Sequence, residues 1–387
     1  MTWAWIITIC GLCLWTALAS LIVMTCRRVR SLQPGTVDHP QVVSVICPAR
    51  NEADELESAM RTRLRDAAPW LEFILVNDRS TDETGPIMDR LALEDARIRV
   101  LHLEELPEGW LGKVHAQQQG IEIARGDWYL LSDADVQVDP GLIESALCWA
   151  QEEQADHVAL IPKIIHGPVL LKSCLPVMML VLMTALRLWR ANDDRSDRAM
   201  GVGAFNLVRR AALEHAGGME PLRMEIADDV GIGMIIHESG GRSRLAVAKD
   251  RLRVHWYRST RDFLQGMEKG AAKGGGRIQL ILHSILILVL VLALLSSFAL
   301  LALWSVVPLP VSLIALISAL VATATTLTAS HRFGLPTAWA CLVPLGLLST
   351  LLVSQRSLWL AIIRGGVRWR GDQHNLTSTR AGERVRL

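Results

Sequence analysis

The chain has 387 residues, of which 51% are hydrophobic and 20% charged, with 40 Lys plus Arg against 39 Asp plus Glu. That balance excludes a disordered chain, which needs low hydrophobicity and high net charge. A formal net charge of +1 argues against a nucleic-acid partner held by a whole-surface basic field. Seven scattered cysteines make no disulfide framework. Cys10 and Cys13 read as small core residues rather than a redox pair, because redox pairs need a thiolate-stabilising setting.

Trp3–Thr25 carries no charge, and Arg27, Arg28 and Arg30 follow at once. About 20 apolar residues span a bilayer, and basic residues after the span place its end in the cytoplasm. A cleaved signal peptide would carry its basic residues first. Residues 1–30 therefore read as an amino-terminal anchor. Val42–Ile46 is a β-branched strand that ends at Pro48. Asn51 is placed to cap a helix over Glu52–Arg65. Phe73–Val76 is a strand, Asn77–Thr81 a turn, Asp82 a cap and Glu83–Asp95 a helix. Ile98–Leu103 is a strand, Lys113–Ala124 a helix and Trp128–Ser132 a strand. This alternation predicts an α/β fold, a mostly parallel sheet with helices on both faces, over a cytoplasmic domain at 40–277.

Val169–Trp189 is apolar but interrupted by Lys172, Pro176 and Arg187. It reads as an interfacial or re-entrant helix pair, with a buried core helix as the alternative. Ile278–Trp304, Val311–Ala329 and Leu335–Val353 read as spans of a carboxy-terminal membrane region at 278–363, and 364–387 is a basic tail. The Trp residues at 3, 5, 304, 339 and 359 lie near span ends, as an aromatic belt would place them. The positive-inside rule keeps that tail cytoplasmic, whereas one span followed by three more puts it outside. Either the last segment only dips into the interface, or the rule fails here.

Ligands of such sheets collect outside the carboxyl ends of the strands. The chemistry is therefore sought at Pro48–Glu52, Asn77–Asp82 and Asp133–Asp135. Asp133 and Asp135 leave a buried strand one residue apart, where they could share a hard cation such as Mg2+ or Mn2+ or be solvated turn residues. Asp78 could accept hydrogen bonds from a base or ribose, or form an Asx turn. Glu52 could reach a nucleotide or complement a helix dipole. Lys113 opens a helix, which suits a phosphate; a solvated lysine is the alternative. Asp228 and Asp229 open the run Val230–His237, as caps or as the place of a general base.

Taken in order, PARNE (48–52), VNDRSTDET (76–84), GWLGK (109–113), LLSDADV (130–136), GAFNLVRR (203–210) and ADDVGIG (227–233) resemble the motifs of the family 2 glycosyltransferases of GT-A fold, in their membrane-anchored branch. The flanking spans and the tail Gly366–Gly371 look like those of ceramide glucosyltransferases and of hopanoid- or carotenoid-associated glycosyltransferases. The resemblance implies a nucleotide-sugar donor, a divalent metal and a lipid acceptor. Pro48, Glu52, Asp78, Lys113 and Asp133 would form the donor site, Asp133 and Asp135 would hold the metal, and Asp229 would be the base with Asp228 in support. It also implies an integral membrane protein of a bacterial inner membrane, catalytic on the cytoplasmic side. The QxxRW motif of many relatives is missing from 255–270, which counts against a processive polysaccharide synthase. Arg258, Arg261 or Lys269 could serve the diphosphate instead. The intact acidic set counts against a non-catalytic scaffold.

Overall fold

The computed structural model describes residues 2–165, 167–196, 198–268, 277–369 and 372–375. The uncharged amino-terminal run is one helix, α1 (Thr2–Arg28). Both Cys10 and Cys13 lie on its exposed surface, so they are not core residues. Next come β1 (Val43–Ala49), α2 (Ala53–Leu64), β2 (Leu71–Asp78), α3 (Thr84–Glu94), β3 (Ile98–Leu103), α4 (Gly112–Ile123) and β4 (Trp128–Leu131). The chain continues through β5 (Gln137–Val138), α5 (Leu142–Glu152), β6 (His157–Ile164), α6 (Val169–Ala185), a 3-10 turn at Leu188–Arg190, β7 (Asn206–Arg209) and α7 (Arg210–His215). A second 3-10 turn at Glu220–Leu222 precedes α8 (Asp228–Glu238), β8 (Ser243–Val254) and α9 (Thr260–Glu268). Last are α10 (Arg277–Ala302), α11 (Leu309–Phe333), α12 (Thr337–Ala340), α13 (Val343–Arg364), β9 (Gly366–Trp369) and β10 (Asp372–Asn375).

Eight strands form one sheet in the order β3-β2-β1-β4-β7-β6-β8-β5. The β3-β2-β1-β4 half is parallel, as the alternation predicts. Beyond it β6 pairs parallel with β8, while β4–β7, β6–β7 and β5–β8 are antiparallel, so the sheet is mixed. Period-two alternation sends Val43, Val45, Phe73, Leu75, Trp128 and Leu130 into one core. Ile46, Ile74, Val76, Tyr129 and Leu131 enter another on the opposite face. Both faces are apolar because helices cover both. The strand β1 runs through Pro48 rather than stopping there. It has lost β4 as a neighbour by that point, since their pairing ends at Ile46, and a residue without N–H is tolerated on a strand paired on one side.

Two apolar segments differ from the sequence reading. Residues 169–189 form a single helix, α6, followed by the 3-10 turn, not a helix pair. The segment at Leu335–Val353 resolves into α12 and the displaced helix α13, with Pro336 capping the first and Pro344 in the first turn of the second, where its missing N–H leaves no intrahelical bond unmade. Among the described residues four helices, α1, α10, α11 and α13, are long and apolar enough to cross a membrane.

Polar ties join these helices to the sheet. After α1, Leu32 N donates to the Val247 carbonyl at 3.0 Å and Val247 N to that of Arg30 at 2.9 Å, extending β8. Arg332, near the end of α11, donates to the Val29 carbonyl at 2.7 Å and to Ser31 Oγ. The buried Glu268 of α9 holds Arg356 at 3.1 Å and Arg364 at 2.7 Å, both from α13.

Candidate active site

The loops after β1 and β2 are zipped together. Asn51 sits in the left-handed region, with φ of 57°. Its Oδ1 accepts the Thr81 N–H at 2.8 Å, and its own N–H donates to Ser80 Oγ at 3.1 Å. Asn51 therefore bridges loops and does not cap α2; the residue at the cap is Glu52, whose N–H donates to Thr84 Oγ1 at 2.8 Å. Asp82 lies one residue before the cap position of α3, which is Glu83, yet its carboxylate serves the starts of two helices. It accepts the first N–H of α3 through Thr84 at 3.0 Å and that of α2 through Ala53 at 3.2 Å.

Asp78 ends β2 fully buried. Its Oδ1 accepts Arg79 Nε at 2.8 Å, while its Oδ2, Arg79 Nη2 and His115 Nδ1 are buried without a hydrogen-bond partner among the described residues. A Cβ on Gly112 would stand 2.5 Å from Asp78 Oδ2, so the start of α4 lies directly on that carboxylate. The next residue, Lys113, is not solvated. Its Nζ lies 2.8 Å from Asp133 Oδ1 and 3.3 Å from Asp228 Oδ2. The second contact has ion-pair distance without hydrogen-bond alignment, leaving Asp228 Oδ2 otherwise unmatched. Burial opposes the Lys113 charge, but Asp133, Asp228 and Asp229 outweigh it and raise the pKa. Burial raises the Asp228 pKa, which Lys113 partly offsets. Burial, then the Asp133 and Glu52 carboxylates, push Asp135 up to about 7.

Asp229 is joined to this group by the Gly201–Gly203 segment. Its Oδ2 accepts the Gly203 N–H at 3.1 Å, and the Gly203 carbonyl accepts the Asp133 N–H at 3.1 Å. A Cβ on Gly201 would lie 1.7 Å from the Asp229 carbonyl oxygen, so only glycine fits. Asn206 Oδ1 holds the segment through the Val202 N–H at 2.9 Å and is itself 3.1 Å from His157 Nε2. His157 Nδ1 is 2.7 Å from Ser243 Oγ. A neutral imidazole satisfies both contacts, accepting from Ser243 and donating to Asn206. Burial, against the opposing Asn206 bond, pushes His157 down to about 4.

Sequence reasoning missed Arg63. This buried guanidinium donates to the carbonyls of Val136 at 3.1 Å and Asp133 at 2.6 Å, to Ser132 Oγ at 3.1 Å, and to Cys47 Sγ. It thus fixes the turn that presents Asp133 and Asp135. Its signal lay in spacing: Leu56, Ala59, Met60 and Arg63 form the buried stripe of α2, so an arginine stands where the pattern calls for an apolar residue. Arg258, a candidate for the diphosphate, instead pairs with Asp54 and Glu55 in the first turn of α2. Arg261 is exposed on α9, and Lys269 lies outside the described residues.

The acidic group fits a divalent cation. Among the described residues no three His, Cys, Asp or Glu form a ready cage, but Mg2+ and ions like it use one or two carboxylates with substrate phosphates and water. The mutual repulsion that raises Asp135 is what a cation there would relieve.

Two predictions follow from this scaffold. Arg63→Lys would leave several buried acceptors bare, at about 1–3 kcal/mol each, and would lower both the unfolding temperature and any activity. An unchanged melting curve and rate would show that the guanidinium is dispensable. His157 has a folded-state pKa below its unfolded value of about 6.5. Its contribution is complete above that value and is lost as pH falls toward 4. Thermal unfolding in detergent should therefore lose stability between pH 6.5 and 4, by up to about 3 kcal/mol from this group, and His157→Gln should flatten the loss.

The glycosyl transferase family 2 model matches residues 44–216. The chain is 35% identical over 118 residues to the glycosyltransferase GlyG of Streptococcus pneumoniae, covering 30% of this chain and 38% of that protein. It is 38% identical over 102 residues to the glycosyltransferase AglD of Haloferax volcanii, covering 25% and 16%. The chain thus spans less than two fifths of the length of these relatives. Its fold is similar to that of the mannosyltransferase PcManGT from Pyrobaculum calidifontis, solved in complex with GDP-Man and Mn2+, with TM-score 0.54 at 17% identity over 92% of this chain and 98% of that one. At that identity the likeness is one of fold. Over residues 44–216 the chain is thus similar to the family 2 glycosyltransferases, and its fold is GT-A-like.

Proposed function

We propose that this protein transfers one sugar from a nucleotide sugar to a hydroxyl group of a membrane lipid, with inversion at the anomeric carbon. The observation that carries the lipid acceptor is the seating of Asp229. Ile226, three residues before it, packs against Leu280 of α10 and Leu358 and Ala361 of α13. Met200 and Val202, in and beside the segment that grips Asp229, pack against the apolar cluster containing Leu171 and Cys174 of α6 and Leu347 of α13. The proposed base therefore borders the membrane helices, where a lipid head group can present its hydroxyl.

The donor would occupy the other end of the site. Asp78 Oδ2, Arg79 Nη2 and His115 Nδ1 offer buried, unmatched acceptor and donor atoms, the complement of a nucleoside edge. Uridine is our preferred base, from the resemblance of the motifs. Glu52, at the start of α2 and close to Asp135, would face the ribose side, with Pro48 forming the floor at the end of β1. Asp133 and Asp135 would hold a divalent cation, which when bound offsets the charge that builds on the departing diphosphate. Lys113 keeps Asp133 and Asp228 in place and adds a fixed positive charge beside the diphosphate. Asp229 is oriented by the N–H groups of Gly203 and Val230. Each of its oxygens retains a lone pair to take the acceptor proton. The acceptor oxygen then attacks the anomeric carbon opposite the leaving group, and direct displacement inverts that centre. The domain would face the cytoplasm of a bacterial inner membrane, a reading supported by the positive-inside rule applied to Arg27, Arg28 and Arg30 at the end of α1.

Membranes containing the protein, given a panel of labelled nucleotide sugars, should yield one glycolipid carrying a single added sugar by mass spectrometry of lipid extracts; a ladder of products would point to polymer synthesis. Asp229→Asn should cut transfer by about 10²–10⁴-fold with nucleotide-sugar binding retained, and equal rates would refute the base assignment. Asp135→Ala should abolish activity that divalent metal otherwise restores after EDTA. Full activity in excess EDTA would refute the metal role.

A further inference from the structure

Both ends of α13 return to the side of the α/β domain. Before it, α11 ends at that domain: Arg332 binds the Val29 carbonyl, and a Cβ on Gly334 would lie 3.4 Å from Lys163 Cα, at the end of β6. After it, Arg364 pairs with Glu268, and a Cβ on Gly365 would stand 3.8 Å from Arg277, which opens α10. Only residues 335–342 separate Gly334 from α13, and half of them are the helix α12, which packs on α6 and α11. They cannot carry the chain across a bilayer.

The depth of α13 is set by α6. Ser173 donates to Ser349 at 3.1 Å, Thr350 donates to the Cys174 carbonyl at 3.4 Å, and a Cβ on Gly346 would meet Val177 at 2.9 Å. Helix α6 is about 25 Å long at 1.5 Å per residue, and both its ends are tied to the domain. At its start, a Cβ on Gly167 would lie 3.6 Å from the Tyr257 carbonyl. Seven residues beyond its end, Asn192 binds the carbonyls of Arg28 at 3.0 Å and Leu245 at 2.8 Å. A helix held so at both ends lies along the membrane surface. The half of α13 packed on it lies at the same depth. Gln355 and Arg356, near the middle of α13, bind Ser284 of α10 and Glu268, where a spanning helix would bury a charge in hydrocarbon. Away from Gly346 and Thr350, which meet α6, Leu345, Leu348, Leu352, Trp359 and Ile363 form an exposed apolar face.

We infer that α6 and α13 form a paired layer in the lipid interface on the side of the α/β domain, with α13 presenting its apolar face to the bilayer. The chain crosses the membrane three times, through α1, α10 and α11. The chain leaves α13 on the domain's side, which also removes the conflict with the positive-inside rule. This inference does not depend on the transfer chemistry.

The test is made on the full chain. Epitopes are placed singly after Leu387, in the exposed loop between Glu104 and Glu105, and in the α10–α11 turn between Trp304 and Ser305, and antibody access is scored in sealed right-side-out and inside-out vesicles. The first two should be accessible in the same vesicles and the third in the others. A carboxy-terminal epitope that scores with the turn would overturn the inference. Spin labels at Leu345, Leu352 and Ile363 should all report one shallow immersion depth; a label at Leu352 near the bilayer centre, with the other two shallow, would overturn it even if the epitopes agreed.

Discussion

A buried ammonium group holds the acidic residues of this site in one place. Asp133 leaves β4, Asp228 opens α8 and Lys113 opens α4, and the lysine reaches both acids. Buried charge is costly unless paired. Each of these groups is therefore tolerated only because the others are present. Asp229 adds to the same field from the next position on α8. Three elements distant in sequence, β4, α4 and α8, are committed to a common point by charge.

Beneath that point lies a second polar layer of buried hydrogen bonds. Arg63 organises the turn carrying Asp133 and Asp135, and the Ser243–His157–Asn206 chain organises the glycine segment that orients Asp229. These residues spend buried hydrogen bonds on backbone carbonyls and N–H groups. That makes the geometry of two short loops as rigid as the sheet beneath them. The sheet contributes the rest: its parallel half ends β1, β2 and β4 side by side, so the loops that follow them face one cleft.

The membrane helices are part of the same construction. Strand β8 is extended by the chain leaving α1, Glu268 clasps α13, and Ile226 joins the α8 loop to α10 and α13. The Asp229 side of the site is thus built against the long apolar helices, and the Asp78 side against the sheet.

The alternation of β-branched runs with amphipathic segments was sufficient to place β1 to β4 and α2 to α4, because period-two and period-3.6 patterns are local properties. The acidic clusters were legible for the same reason, each lying directly after a strand or at a helix start. The antiparallel half of the sheet was not legible, since strands as short as β5 and β7 carry no pattern distinguishable from a loop. Nor was the partner of any charge. Arg258 looked like an anion-binding residue and is spent on Asp54 and Glu55, whereas Arg63, which the sequence reading did not single out, is buried under the Asp133 turn. The order and chemistry of the motifs were written in the chain itself. Which charge met which, and that α6 packs beside α13 across more than 170 residues of sequence, depended on tertiary contacts, because pairing energy between groups far apart along a chain exists only once the fold has brought them together.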